Sequence, residues 1–197
     1  MKRVLRLLAV AFAAGIALGA VVSVKARAQS AGAPSAKAQD CTSTQGALPQ
    51  KWEGVAFAID GNTLAGAGLK SQIRLWGIQA PELRDKDRQE TVAGMRARAT
   101  VEDLLLAADR RVTCRSLKFD RSCQLIAQCT VTLEIPRGSP AAPQDLSLRL
   151  LEDGLAYGIS LDETLAWDKT ANERYGHHEG LARQARKGLW PTWLGEK

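Results

Sequence analysis

The stretch Arg74-Leu-Trp-Gly-Ile-Gln-Ala-Pro-Glu82 carries a guanidinium at one end and a carboxylate at the other. A guanidinium can hold a phosphate through paired donors, and a carboxylate can take a proton from water, so together they could serve phosphoryl transfer. Pro81 fixes its own φ and pushes Ala80 into extended geometry, so a strand ending in this rigid turn can aim both groups at one pocket. A surface ion pair at a strand end would use the same residues, and such pairs are common and weak. Taken alone, this stretch favours the ion pair.

The other reactive residue types point to little chemistry of their own. His177 and His178 are adjacent, which on a helix separates them by about 100° and argues against joint metal binding. The four cysteines, Cys41, Cys114, Cys123 and Cys129, contain no C-x-x-C spacing, which argues against a sulfur-built zinc site. The five tryptophans, Trp52, Trp76, Trp167, Trp190 and Trp193, are expected to pack in the core and at its edges rather than to stack on bases.

Several elements must position Arg74 and Glu82. Val55–Ile59 reads as a strand, Asp60-Gly-Asn-Thr63 as a tight turn, and Leu64 as the centre of a second strand. A third strand follows at Ile73–Ile78. Ala97, Val101, Leu104, Leu105 and Ala108 recur at helical spacing, which predicts an amphipathic helix over 91–108. Arg111–Lys118 and Leu125–Ile135 read as two further strands, with Asp120, Arg121 and Ser122 at their turn. Pro136–Gln144 reads as a loop. Asp145 suits the N-cap of a short helix in which Leu146, Leu150 and Leu151 share a face and Gly154 is the stop. Leu155–Ile159 is apolar and expected to be buried. Ala171–Lys187 reads as a final helix with Tyr175, Ala182 and Ala185 inward. Its Arg183, Arg186 and Lys187 read as a solvated turn, and as the best remaining contact for nucleic acid or anionic lipid.

Residues 1–28 have a basic start, an apolar run from Leu7 to Val24 and an Ala26-Arg27-Ala28 cleavage pattern, the marks of an export signal. The apolar run is also long enough for a membrane anchor if it is not cut. This segment holds five of the 27 basic residues and no acidic one, so the remaining chain has 22 basic against 21 acidic groups. The overall charge of +6 is therefore no sign of a nucleic-acid partner by itself. Residues 29–50, rich in Ala, Ser, Gly, Pro and Gln, read as a flexible tether, and residues 51–197 as the domain.

All four cysteines follow the leader, so an oxidising compartment and two disulfides are expected. A hairpin centred between Arg121 and Ser122 would set Cys114 opposite Cys129, close enough to bridge. That pairing leaves Cys41 for Cys123.

Three strands, a helix, two strands and then helices is the order of an α+β, five-stranded Greek-key barrel of OB type with about three packed helices. The residues also resemble the staphylococcal nuclease, or thermonuclease, family. The resemblance rests on Ile59-Asp-Gly-Asn-Thr63, Arg74-Leu75 with Gln79-Ala-Pro-Glu82, Leu150-Leu-Glu-Asp-Gly-Leu-Ala156, Glu179-Gly-Leu-Ala-Arg183 and Gly188-Leu-Trp190. It implies calcium-dependent phosphodiester cleavage, with two aspartates and a backbone carbonyl holding the ion, two arginines on the phosphate and a glutamate assisting water.

Position by position, the resemblance implies that Arg74 is the first arginine and Glu82 the glutamate. Asn62 and Gln79 stand where the two metal aspartates belong, and Gln124 where the second arginine belongs. Ligand charge sets calcium affinity, so two amides in place of two carboxylates predict weak binding. Asp60 is a possible substitute ligand, although capping its own turn suits it better. Arg121 sits at an odd offset from Gln124 and is expected to face the other way.

The expectation is an exported family member with weak or lost phosphodiesterase activity, acting as a binding or structural module, with an active but altered metal-dependent nuclease as the alternative. No cofactor is expected unless it is active, when calcium would be needed. Nucleic acid or another anionic ligand, a protein partner, and a membrane if the leader stays uncut are the partners the sequence allows. A Cys41–Cys123 bridge would further draw the tether over the rim of the pocket.

Overall fold

Tight turns and a helix fold the first half of the domain onto itself. The computed structural model describes residues 41–133, 142–159 and 164–195; the expected leader and most of the expected tether lie outside them. Three strands run in sequence, β1 (Lys51–Ala58), β2 (Thr63–Gly66) and β3 (Ile73–Leu75), followed by the short β4 (Ile78–Gln79). After helix α2 (Val92–Ala107) come β5 (Arg111–Phe119) and β6 (Leu125–Thr132), then β7 (Pro143–Asp145) and helix α3 (Leu146–Glu152). The chain ends with β8 (Tyr157–Gly158), helix α4 (Ala171–Gln184) and the single turn α5 (Trp190–Trp193).

The sheet order β3-β2-β1-β5-β6 is closed by a parallel pairing of β3 with β6. The result is a five-stranded mixed barrel of OB type with helices packed against it. Alternation explains the core: Leu64, Ile73, Leu75, Leu125 and Ala127 point inward and are fully buried, while Arg74 and Ile126 on the same strands point out. Helix α2 supplies Ala97, Val101 and Leu105, and α3 supplies Leu146, Leu150 and Leu151. Asp145 caps α3 by accepting from the Ser147 and Leu148 amides, and Gly154 follows the helix at φ 65°.

Four expectations need correction. The strand read over Ile73–Ile78 breaks at Trp76-Gly77, where Gly77 takes φ 80° against the Tyr175 ring and sends β4 to pair with β8 instead. In the segment read as buried, Leu155 and Ala156 are buried, but Tyr157 and Ile159 are 42% and 37% exposed, because β8 meets only β4. Pro143–Gln144 lies in strand β7 rather than in loop, and the rest of that loop is outside the described residues apart from Ala142. The final helix ends at Gln184, three residues before Lys187, so Ala185 caps it and is exposed.

Two disulfides close the domain. Cys114 faces Cys129 across β5 and β6 and is bridged to it. Cys41 is bridged to Cys123 at the tip of the same hairpin. A register shift between Ser116 and Lys118 offsets the pairing, so the turn takes in Asp120–Gln124. Within the segment read as tether, Thr42–Gln45 forms one helical turn, α1, directly after the buried Cys41.

Candidate functional site

The turn that carries Glu82 is held from below. Thr91, the N-cap of α2, accepts from the Gly94 amide and donates its hydroxyl to the Glu82 carbonyl at 2.6 Å. A Cβ at Gly94 would lie 2.3 Å from that carbonyl oxygen, so only glycine lets the helix start this close to the turn. The β1–β2 turn is packed as tightly: Asp60 accepts from the Asn62 amide at 2.7 Å, the turn-capping role read from the sequence. Gly61 fits between Ala80 and Ala97.

Asn62 is 1% exposed and faces the backbone of the Pro81 turn. Its Oδ1 accepts from the Ala80 amide at 2.6 Å and its Nδ2 donates to the Ala80 carbonyl at 3.0 Å. A carboxamide can satisfy a peptide's amide and carbonyl at once, whereas an ionised carboxylate has no hydrogen to give.

Gln79 plays a second such part. Its Oε1 accepts from Arg74 Nη2 at 2.6 Å, and its Nε2 donates to the Ala80 carbonyl at 2.9 Å and to Glu82 Oε1 at 3.3 Å. Arg74 and Glu82 are thus joined through one neutral amide that presents oxygen to the cation and nitrogen to the anion. A carboxylate at position 79 would set a like charge beside Glu82, which another cation would have to offset.

Gln124 lies one step along the same outer face. The parallel register pairs Arg74 with Ile126, and Gln124 donates to Gln72 Oε1 at 2.9 Å. Gln72 immediately precedes β3, two residues before Arg74. Arg121 is exposed in the turn, and Cys123 adopts φ 59°. The reading of the sequence missed Gln72; its i−2 spacing from Arg74 was the available signal.

This donor set does not fit a calcium ion. Both polar atoms of the Asn62 side chain are committed to Ala80, the Gln79 oxygen is committed to Arg74, and Asp60 is committed to its own turn. Glu82 alone is a carboxylate exposed beside the clamp. Among the described residues, no group of three His, Cys, Asp or Glu side chains could hold a metal.

A second polar constellation lies over β5, β6 and β7. Gln128 is its hub: Nε2 donates to Asp145 at 2.9 Å and to Asp168 at 2.8 Å, and Oε1 accepts from Trp167 Nε1 at 2.8 Å. The Tyr175 hydroxyl donates to Asp145 at 2.6 Å. Burial pushes the Asp145 carboxyl up against four donors that favour its charged form, and burial with the neighbouring carboxylate pushes the Tyr175 phenol up, so it stays a donor. Arg174 grips Asp168 through two nitrogens, at 2.6 and 3.2 Å. The signal for this network was a glutamine in the middle of the apolar strand Leu125–Val131.

Arg174 holds the Asp168 carboxyl below its ordinary value. A depressed carboxyl stabilises the fold above its unfolded pKa of about 4 and loses that contribution as pH falls through the lower folded value. Arg174→Met is therefore expected to cost about 1 kcal/mol at neutral pH for this partly exposed pair. In urea unfolding the difference between variant and parent should shrink below about pH 3.

No curated protein matches the sequence. A family model described as staphylococcal nuclease homologue matches residues 72–192. That span includes Arg74, Gln79, Glu82 and Gln124 but begins after the Asp60–Thr63 turn. It covers more than half of the 197 residues, and the barrel it should form is the one observed: the chain belongs to the staphylococcal nuclease family.

Proposed function

We propose that this protein is an exported member of its family in which calcium-dependent phosphodiester cleavage has been lost, and that it works as a binding or structural module. The observation that carries this reading is the reciprocal pairing of Asn62 with both polar atoms of the Ala80 peptide. It converts a ligand position into a brace for the turn that holds Glu82. The Gln79 bridge supports the same reading, since it satisfies Arg74 and Glu82 with no ion between them. Gln124 offers an amide where a guanidinium would stabilise the transition state, and arginines in that role are worth about 10³ to 10⁵ in rate. The export signal read over residues 1–28 supports export, and a leader left uncut would make the protein membrane-anchored.

An active nuclease with an altered site is the second reading, favoured by the retention of Arg74 and Glu82 within one hydrogen-bonded chain. A zymogram of the oxidised protein on denatured DNA and on RNA, with calcium and with chelator, separates the two. No cleavage above background in either condition is the expected result. Calcium-dependent cleavage that disappears in Glu82→Gln would sink the proposal.

A further inference from the structure

Strand pairing places like charges side by side on the outer face of the barrel. Lys51 on β1 is the direct partner of Arg115 on β5, and Arg115 is the direct partner of Gln128 on β6. Opposed cations repel and weaken a strand pair. Lys51 has Glu53 beside it, whereas Arg115 is exposed and has no carboxylate partner among the described residues. Trp167 lies over the end of this row, fixed to the sheet by its indole bond to Gln128. The half-buried ring lines a cleft of about 650 Å³ together with Lys51, Arg115 and Gln128, and it lines the adjoining hollow with Gln50 and Ser116.

The acidic groups near the cleft are already engaged. Asp168 is held by Arg174, Asp145 lies under Tyr175 and Gln128, and Glu152 faces His178. What remains is an anchored aromatic surface beside Arg115, which has no carboxylate partner among the described residues, with Lys51, paired to Glu53, next to it. A base can stack on the first while the neighbouring phosphates meet the second, the combination by which single strands are bound without sequence readout.

We infer that this face, formed by Lys51, Arg115 and Trp167, is a binding site for single-stranded nucleic acid. It is built on β1 and β5 rather than on β3 and the Pro81 turn, and it does not depend on whether the Arg74–Glu82 chain retains chemistry. Trp167 stacks a base, and Arg115 with Lys51 contacts the flanking phosphates. The fixed tilt of the indole comes from Gln128, which acts as a positioning residue.

The test is fluorescence anisotropy of labelled oligothymidylate titrated with the full, oxidised protein at several salt concentrations. Arg115→Ala is expected to weaken binding about 5- to 10-fold and to reduce the salt slope by about one. Trp167→Leu is expected to weaken it about 5- to 100-fold. Arg115 is exposed, so its variant separates lost contact from lost folding; thermal unfolding of Trp167→Leu provides the same control. Unchanged affinity in the Arg115 and Trp167 variants overturns the proposal, as does absence of binding at low salt. A loss confined to Arg74→Ala, or equal binding of polyglutamate with no dependence on Trp167, also overturns it.

Discussion

Replacing Cys41 and Cys123 with serine together is expected to lower stability by about 3 to 5 kcal/mol. The bridge spans 82 residues, and the chain-entropy relation gives about 4.5 kcal/mol for a loop of that length at 25 °C. The Cys114–Cys129 bridge spans 15, for which the same relation gives about 3 kcal/mol. Cys123 adds a second effect through its backbone, since φ 59° is a conformation that costs a side-chain-bearing residue about 1 kcal/mol. Cys41→Ser with Cys123→Gly should therefore recover about 1 kcal/mol of the loss. Urea midpoints at constant slope measure both differences. A loss below about 1 kcal/mol for the double serine variant would mean that the entropy of the 82-residue loop is not what the bridge controls.

Asn62→Asp is the second large effect. The substitution removes the donor to the Ala80 carbonyl and sets a charge at a position 1% exposed. Stranding a buried carbonyl and burying an unpaired carboxylate are expected to cost about 3 kcal/mol at neutral pH. Desolvation raises the folded pKa of such a group above its unfolded value, so the penalty is present at high pH. It fades as pH falls through the raised value, when the protonated acid can again donate. Thermal unfolding between neutral pH and about pH 4 reads this directly. A penalty that does not change with pH would show that the lost packing, not the charge, is responsible. Millimolar calcium is expected to leave the parent's unfolding temperature unchanged. It should raise that of the Asn62→Asp, Gln79→Asp double variant, in which ligand charge returns.

The barrel was legible because its signals are local. Turn chemistry at Asp60-Gly61, the spacing of Ala97, Val101 and Leu105, and the Asp145 cap each report on a few neighbouring residues, and each appears in the structure as read. The hairpin register was legible near Cys114 and Cys129 and failed toward the turn, since the irregularity near Leu117 leaves no mark in composition. The break at Trp76-Gly77 was missed for a tertiary reason: the Tyr175 ring, nearly a hundred residues away, closes on Gly77. At the site, the sequence located Asn62, Gln79 and Gln124 by position and read them as absences. It could not show that Asn62 and Gln79 had found two-sided partners, because those partners are the Ala80 backbone and the side chains of Arg74 and Glu82. Identity of a residue tells which bonds it can make; only the fold tells which are already made.

The bridge from Cys41 to the hairpin tip also has a mechanical consequence. Any pull on the chain before Cys41 passes through sulfur into Cys123 and the β5–β6 hairpin, the most extensively paired strands of the barrel. Residues 42–50 lie outside that path and carry no tension, so β1 cannot be peeled from the sheet at its free end. If the leader tethers the protein to a surface, force meets the barrel across a covalent ring instead of along the strand that begins it.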